Sequence, residues 1–208
     1  MNFIENSHEK ILSFFNYPYV NKEVLDQIKG PIILHISDTP VTSYSYIFRL
    51  IKILKPKYII HTGDMVDNIK LEIRRNRLDC YRQGIERLTE GLESDKASKV
   101  FYLMGNHDHL KTVKRVTKRG IIVDEGSLKL DNYHLIVSHY FKEYPYKADF
   151  NLYGHSPNPS HYQREGINGL NGLVNINIID LSNGNVFHIN YPIGTNSARG
   201  MEFKRIKL

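Results

Sequence analysis

Short apolar runs in this chain end, again and again, in residues that bind metals or move protons. IILHISD ends in Asp38, YIIHTGD ends in Asp64, and VFYLMGNHD brings Asn106, His107 and Asp108 behind a third run. Farther on, YHLIVSH ends in His139 and FNLYGHSP carries His155. Carboxylate, amide oxygen and imidazole together suit Mn, Fe, Zn, Ni or Co rather than calcium. Cys80 is the single cysteine, which excludes an intrachain disulfide and a thiolate metal site, whereas ten histidines make an imidazole and carboxylate centre feasible. Each piece alone also has a plain structural reading. GDMVD reads as a Gly-containing turn, GNHD as a helix cap through Asn106 or Asp108, and each histidine as a hydrogen-bonded core residue. The ordered set of five favours a shared site.

The elements that must position these residues follow from the pattern of apolar runs. From Pro31 onward short runs (32–36, 58–60, 100–103) alternate with amphipathic segments, the signature of βαβ units and a mostly parallel sheet. Ligands bind at the C-terminal strand edge of such sheets, where Asp38, Asp64 and Asn106 fall. Helices are expected over 44–55, over 69–92 with Leu71, Leu78, Tyr81, Ile85, Leu88 and Leu92 on one face, and over 110–119. After Gly120 the runs become short and β-rich, with Asp131-Asn132 and Ser182-Asn183-Gly184 as hairpin turns, so antiparallel strands are expected there. His35 and His61 stand three residues before Asp38 and Asp64, an odd offset that turns them to the opposite face, as core histidines.

The first 30 residues read as two short helices, one with Ile4, Ile11, Leu12 and Phe15 on a face, the other with Val20, Val24, Leu25 and Ile28, before Gly30-Pro31 stops the pattern. They serve as core padding or as an interface to a partner. One domain over 1–208 is expected, with a helical extension at 1–30, a core at 31–192 and a tail or strand at 193–208.

At 208 residues, 41% apolar and 24% charged, the chain has the proportions of one globular domain and not of a disordered, collagenous or coiled-coil one. No apolar run approaches the roughly 18 residues of a membrane span and the N-terminus lacks signal-peptide features, so a cytoplasmic protein is expected. A net charge of +6 favours anionic partners modestly. Lys111, Lys114, Arg115 and Lys118 recur at helical spacing just past GNHD, a basic stripe along which a polyanion could track, and Arg74, Arg75, Arg77, Arg82 and Arg87 could widen it. Tyr140, Phe141, Tyr144 and Tyr146 are candidates for stacking or for capping the core.

The ordered motifs resemble those of the calcineurin-like metallophosphoesterases, D-x-H, G-D-x-x-D, G-N-H-[DE], H and G-H-x-H. The matches are Asp38 in ISDTP, Asp64 and Asp67 in GDMVD, Asn106 and His107 in GNHD, His139 in VSHY and His155 in GHSP, and they span about residues 32–190. ISDT, IIHTGDMVD and ADFNLYGHS look most like the small bacterial and archaeal phosphodiesterase branch, which also includes the retromer scaffold subunit. The resemblance implies an α/β fold, a four-layer α/β/β/α sandwich with two mixed β-sheets, carrying a two-metal site. Carried over by position, the second metal keeps Asp64, Asn106, His139 and His155, while the first keeps only Asp38 and Asp64. Its two histidines are Pro40 and Pro157 here, and proline has no side-chain donor. One tight site for a divalent transition metal, Mn first among the choices, is expected beside a weakened one. His161 and His109 are the nearest substitutes by position.

The resemblance further implies in-line attack of a metal-activated water on phosphorus, with His107 protonating the leaving oxygen and Asp67 orienting His107. The substrate expected is a small phosphoester, a nucleotide or a nucleic-acid end. The rival expectation is a catalytically degenerate relative that binds protein or nucleic acid: Pro40 and Pro157 favour it, and His107 with Asp67 opposes it.

Overall fold

The computed structural model describes residues 11–145 and 147–201. Ile4, Tyr146 and the stretch 202–208 lie outside the described residues.

Apolar β-branched runs form the strands that hold the site. Strands β1 (Ile32–Ile36), β2 (Tyr58–His61), β3 (Lys99–Tyr102) and β4 (Ile121–Ile122) run parallel, and β10 (Ile176–Asp180) and β11 (Val186–Ile189) add antiparallel pairs beside β1. The order in this six-stranded sheet is β11-β10-β1-β2-β3-β4. A five-stranded sheet has the order β5-β6-β7-β9-β8, from β5 (Gly126–Leu130), β6 (Tyr133–Val137), β7 (Phe150–Tyr153), β8 (Tyr162–Arg164) and β9 (Ile167–Asn171). Both sheets are mixed, as the resemblance implied.

Strand alternation divides the core in two. Ile32, Leu34 and Ile36 of β1 face helices α2 (Tyr44–Leu54) and α3 (Leu78–Leu92), packing on Ile47, Leu50, Ile85 and Leu88. Ile33 of the same strand points the other way, into the layer between the sheets with Ile60, Phe101, Leu135, Val137, Phe150 and Leu152. A strand buried on both faces reads as a continuous apolar run, as IILHI does. Full burial of such side chains contributes about 1.5–3 kcal/mol each. On the far face of the five-stranded sheet the cover is an aromatic cluster, Phe141 against Tyr153 and Tyr162.

Several expectations are corrected. The helix expected over 69–92 begins only at Leu78; before it come turns and a 3-10 turn at Arg75–Arg77, because Lys70 takes a left-handed backbone (φ +53) that breaks the helical path. The helix expected over 110–119 is α4 (Leu110–Val116), ended at Thr117, after which the N–H groups of Lys118 and Arg119 donate to Glu93. In the second half β6–β7 and β7–β9 are parallel, since long loops and not hairpins join their partners. Both predicted hairpin turns are present, between β5 and β6 and between β10 and β11.

Near the N-terminus, residues 11–14 are helical and α1 (Lys22–Gln27) is capped by Asn21, whose Oδ1 accepts from the Glu23 N–H. Among the described padding residues only Val20 and Ile28 pack on the core, while Ile11, Phe15 and Leu25 are exposed. Past β11, α5 (Thr195–Ala198) stands where a tail or strand was expected. No described helix is long and apolar enough to cross a membrane.

Candidate metal centre

The site is assembled where parallel strands of both sheets end. Asp38, Asp64 and Asn106 follow β1, β2 and β3, and His139 and His155 follow β6 and β7. Backbone bonds lock the loops together: the Asp38 N–H donates to Gly63 O (2.9 Å) and the Thr39 N–H to Asp64 O (3.0 Å). Asp38, Asp64 and His155 all have left-handed backbones, with φ of +52, +54 and +64. Such non-glycine positions cost about 1–3 kcal/mol each and persist where surrounding contacts fix them.

The contacts that fix them are specific. The His155 N–H donates to Asp38 Oδ2 (3.0 Å) and the His107 N–H to Asp64 Oδ1 (2.9 Å). Asp108 accepts four bonds, from the N–H groups of Asp64 (2.8 Å), Gly105 (2.9 Å) and Met65 (2.9 Å) and from the Tyr81 hydroxyl (2.9 Å). It therefore ties the second and third loops together instead of capping α4, whose N-cap His109 makes no side-chain cap bond. Burial and the charge of Asp64 push the Asp108 carboxyl up to about 7.

His139 sits at the centre of the candidate donors. Its Nδ1 stands 2.8 Å from the Thr62 carbonyl oxygen, which can only accept, so Nδ1 carries the hydrogen. In the neutral ring Nε2 then offers its lone pair, 3.1 Å from Asn106 Oδ1 and 3.4 Å from Asp64 Oδ2. With the ring neutral, only acceptor atoms would meet there, as a bound cation requires. Burial works against protonation of His139, but the Asp64 carboxylate outweighs it and holds the imidazole up at about 9, so without an ion Nε2 carries a proton that a cation would displace. Burial likewise opposes ionisation of Asp64, yet the His139 ring and the His107 N–H keep its carboxyl below the usual range. Ligand atoms of Asp64, His139 and His155 lie within 4.8 Å of one another, and so do those of Asp64, Asp67 and His107. A donor set of one carboxylate, one amide oxygen and two imidazoles fits a divalent transition ion.

Other expected residues are placed differently. Asp67 does not hydrogen-bond His107; its Oδ1 pairs with Lys70 Nζ, while His107 Nδ1 lies 3.6 Å from Glu72 Oε2. Burial and the charge of Asp38 push Asp67 up to about 6 against the pull of Lys70. His161 is not in either donor group: its ring nitrogens face Asn175 Oδ1 (3.1 Å) and the Asn171 N–H (3.1 Å), and it stacks on His188. His109 bonds Thr112 Oγ1 (2.8 Å). His35 and His61 are fully buried and hydrogen-bonded, to Thr62 and Asn177 and to Thr39 respectively.

A cavity of about 290 Å³ opens beside Asn106 between Glu72, Arg75 and His109, and one of about 260 Å³ continues it past His109 to Arg82, Lys111 and Arg115. Lys114 and Lys118 are exposed but do not line it, and Lys118 has left the helix. Tyr140 packs its ring 4.2 Å from that of His155 and remains 41% exposed, whereas Phe141 belongs to the aromatic cluster. Residues missed in the sequence include Lys70, signalled only by its place three after Asp67, and Arg199. Arg199 is buried and donates to the carbonyl oxygens of Asp38 (2.6 Å), Ser37 (3.3 Å) and Leu173 (2.8 Å), bracing the first loop. Nothing in the sequence around Arg199 signals this role.

Two mixed sheets bring carboxylate, amide and imidazole side chains that could hold a divalent ion to their common edge. A family model described as calcineurin-like phosphoesterase matches residues 32–204. The chain belongs to this family, hydrolases that act on phosphate esters with divalent metals. No curated protein matches it. Among solved structures, an archaeal phosphodiesterase is 17% identical over 76% of this chain and 99% of that one, with a TM-score of 0.50. Yfce, a phosphoesterase from E. coli, is 17% identical over 77% of this chain and 99% of that one, with a TM-score of 0.54. At these identities the likeness is one of fold.

Proposed function

We propose that this chain is a phosphodiesterase with one tight metal site, formed by Asp64, Asn106, His139 and His155, and that Mn²⁺ serves there. The observation that carries this reading is the convergence of acceptor atoms around His139 Nε2, with its tautomer fixed by the Thr62 carbonyl. A divalent ion held by these residues would neutralise phosphoryl oxygens and acidify a bound water. Asp38 closes the far side of the site through its bond to the His155 N–H. His107, buried next to Asp64, donates a proton to the leaving oxygen, with Glu72 3.6 Å from its Nδ1 as the nearest carboxylate on that side and not a direct hydrogen-bond partner. Asp67 acts at one remove, through Lys70. The exposed face of Tyr140 offers a stacking surface for an aromatic leaving group, and the basic groove past Asn106 suits a nucleotide or nucleic-acid end, with Lys111 and Arg115 as its phosphate contacts.

The test is hydrolysis of bis-p-nitrophenyl phosphate and p-nitrophenyl phosphate with Mn²⁺, alongside metal content. The diester should be preferred, and the protein should hold about one ion per chain, lost in His139→Ala and kept in His161→Ala. His107→Ala should lower turnover by about 10²–10⁴-fold while keeping its metal. A folded, metal-replete protein with no turnover would instead support the binding-scaffold reading that Pro40 and Pro157 favour.

A further inference from the structure

Lys70 brings an ammonium into the carboxylate cluster. Its Nζ pairs with Asp67 Oδ1, a carboxylate with 1% exposure, whose ligand atom lies within 4.8 Å of those of Asp64 and His107. The side chain of Lys70 is itself only 28% exposed, and its backbone is left-handed at φ +53. Carbonyl Lys70 O accepts from the N–H groups of Ile73 (3.0 Å) and Arg74 (2.9 Å), which fixes the turn that delivers it.

The two sides of the site are unequal. Around Asp64 the chain supplies the side chains of Asn106, His139 and His155. Near Asp38 and Asp67 the neighbouring positions 40 and 157 are prolines, without a side-chain donor. Three carboxylates, Asp38, Asp64 and Asp67, gather in the site; one divalent ion offsets two of their charges and Lys70 the third. Without Lys70 a phosphodiester anion entering there would meet a net negative site. An ammonium has three hydrogens, of which Asp67 takes one, and the others remain for an anionic oxygen.

We propose that Lys70 binds a non-bridging phosphoryl oxygen of the substrate and so supplies, on the Asp38 and Asp67 side, the positive charge that a second ion gives in two-metal sites. This inference rests on the phosphoesterase reading. It makes Lys70 a substrate-binding residue of a site that runs on one metal and one lysine, with Asp67 as the residue that positions it.

The test uses inorganic phosphate as probe, titrated calorimetrically into the full, Mn-loaded chain, with metal content measured on the same samples. Lys70→Met should weaken phosphate binding by about tenfold or more, as expected for losing a charge-assisted hydrogen bond, without loss of the ion. Lys70→Arg should retain most of the affinity. If Lys70→Met does not fold, Lys70→Gln carries the same expectation, because it keeps a donor and removes the charge. Unchanged phosphate affinity in a folded, uncharged variant overturns the proposal, as does recruitment of a second ion that restores full affinity. In those cases wild-type turnover leaves the phosphoesterase reading standing. A wild-type chain that neither binds phosphate nor hydrolyses the diester removes both.

Discussion

Replacing Gly63 with alanine probes the part of the site that is made of backbone alone. Gly63 has φ +104, and a Cβ there would stand 2.6 Å from both Gly105 N and His139 Nδ1 and 2.8 Å from Gly105 Cα. Backbone strain of this kind costs about 1–3 kcal/mol. Forcing a methyl into a packed site costs about another 1–3 kcal/mol. Gly194→Ala is the control, with φ +86 and nothing within 4 Å of the added carbon, so it carries the strain alone. The difference between the variants isolates the packing part, and at about 2–4 °C per kcal/mol for a chain of this size it amounts to about 2–12 °C in Tm. Melts are run with chelator present, since bound metal would raise Tm by mass action. The methyl also presses on the ring that Thr62 O holds at 2.8 Å. Disturbing a contact that orients a metal-binding histidine costs about 10–100-fold in affinity, which Mn²⁺ titration reads directly. Wild-type Mn²⁺ affinity in Gly63→Ala, with a Tm equal to that of Gly194→Ala, would refute the geometry assigned to His139.

Burial and neighbouring imidazoles hold His35 down at about 3, whereas an unfolded histidine takes its proton near 6.5, so this group costs stability as pH falls through that window. Between pH 7 and 5 the loss is about 2 kcal/mol for this residue; urea titrations of wild type and His35→Asn at the two pH values should show their stability difference shifting by that amount in favour of the variant, and parallel curves would contradict it. For the groove, Lys111→Ala with Arg115→Ala should weaken single-stranded oligonucleotide binding and flatten its salt dependence by roughly 1–2 in slope, with hydrolysis of bis-p-nitrophenyl phosphate unchanged. The pair Lys114→Ala with Lys118→Ala, which does not line the groove, should leave binding nearly as it was; equal effects of the two pairs would show a diffuse charge effect and no groove.

Where local rules decide, the chain was readable. Apolar runs such as IILHI make strands on their own, and the carboxylate after each run is carried to the sheet edge by strand geometry, whatever the rest of the fold does. Asp131-Asn132 and Ser182-Asn183-Gly184 turn the chain where they stand. Strand direction between distant elements is another matter. The texture of the second half suggested antiparallel strands throughout, but β7 takes β6 and β9 as parallel neighbours through irregular loops, a nonlocal choice with no local residue signal. The overlong helix over 69–92 has a similar origin. Leu71 is buried at the spacing a helix would give it, yet it reaches the core from a turn, because Lys70 reverses the chain just before it.

The site shows the same division, and it bears on turnover. Spacing located the donors, because each lies within a few residues of a strand end. It did not identify what neutralises Asp67, because the answer depends on the handedness of one backbone position, Lys70. Asp38 and Asp67 are both buried and both held above the usual carboxylate range, burial being the larger cause in each. Two such carboxyls are costly to a domain that needs only a surface for a partner. Beside His107, the candidate donors around Asp64 and the Lys70 ammonium, they have a use in charge-based catalysis that a scaffold lacks, and that asymmetry favours turnover.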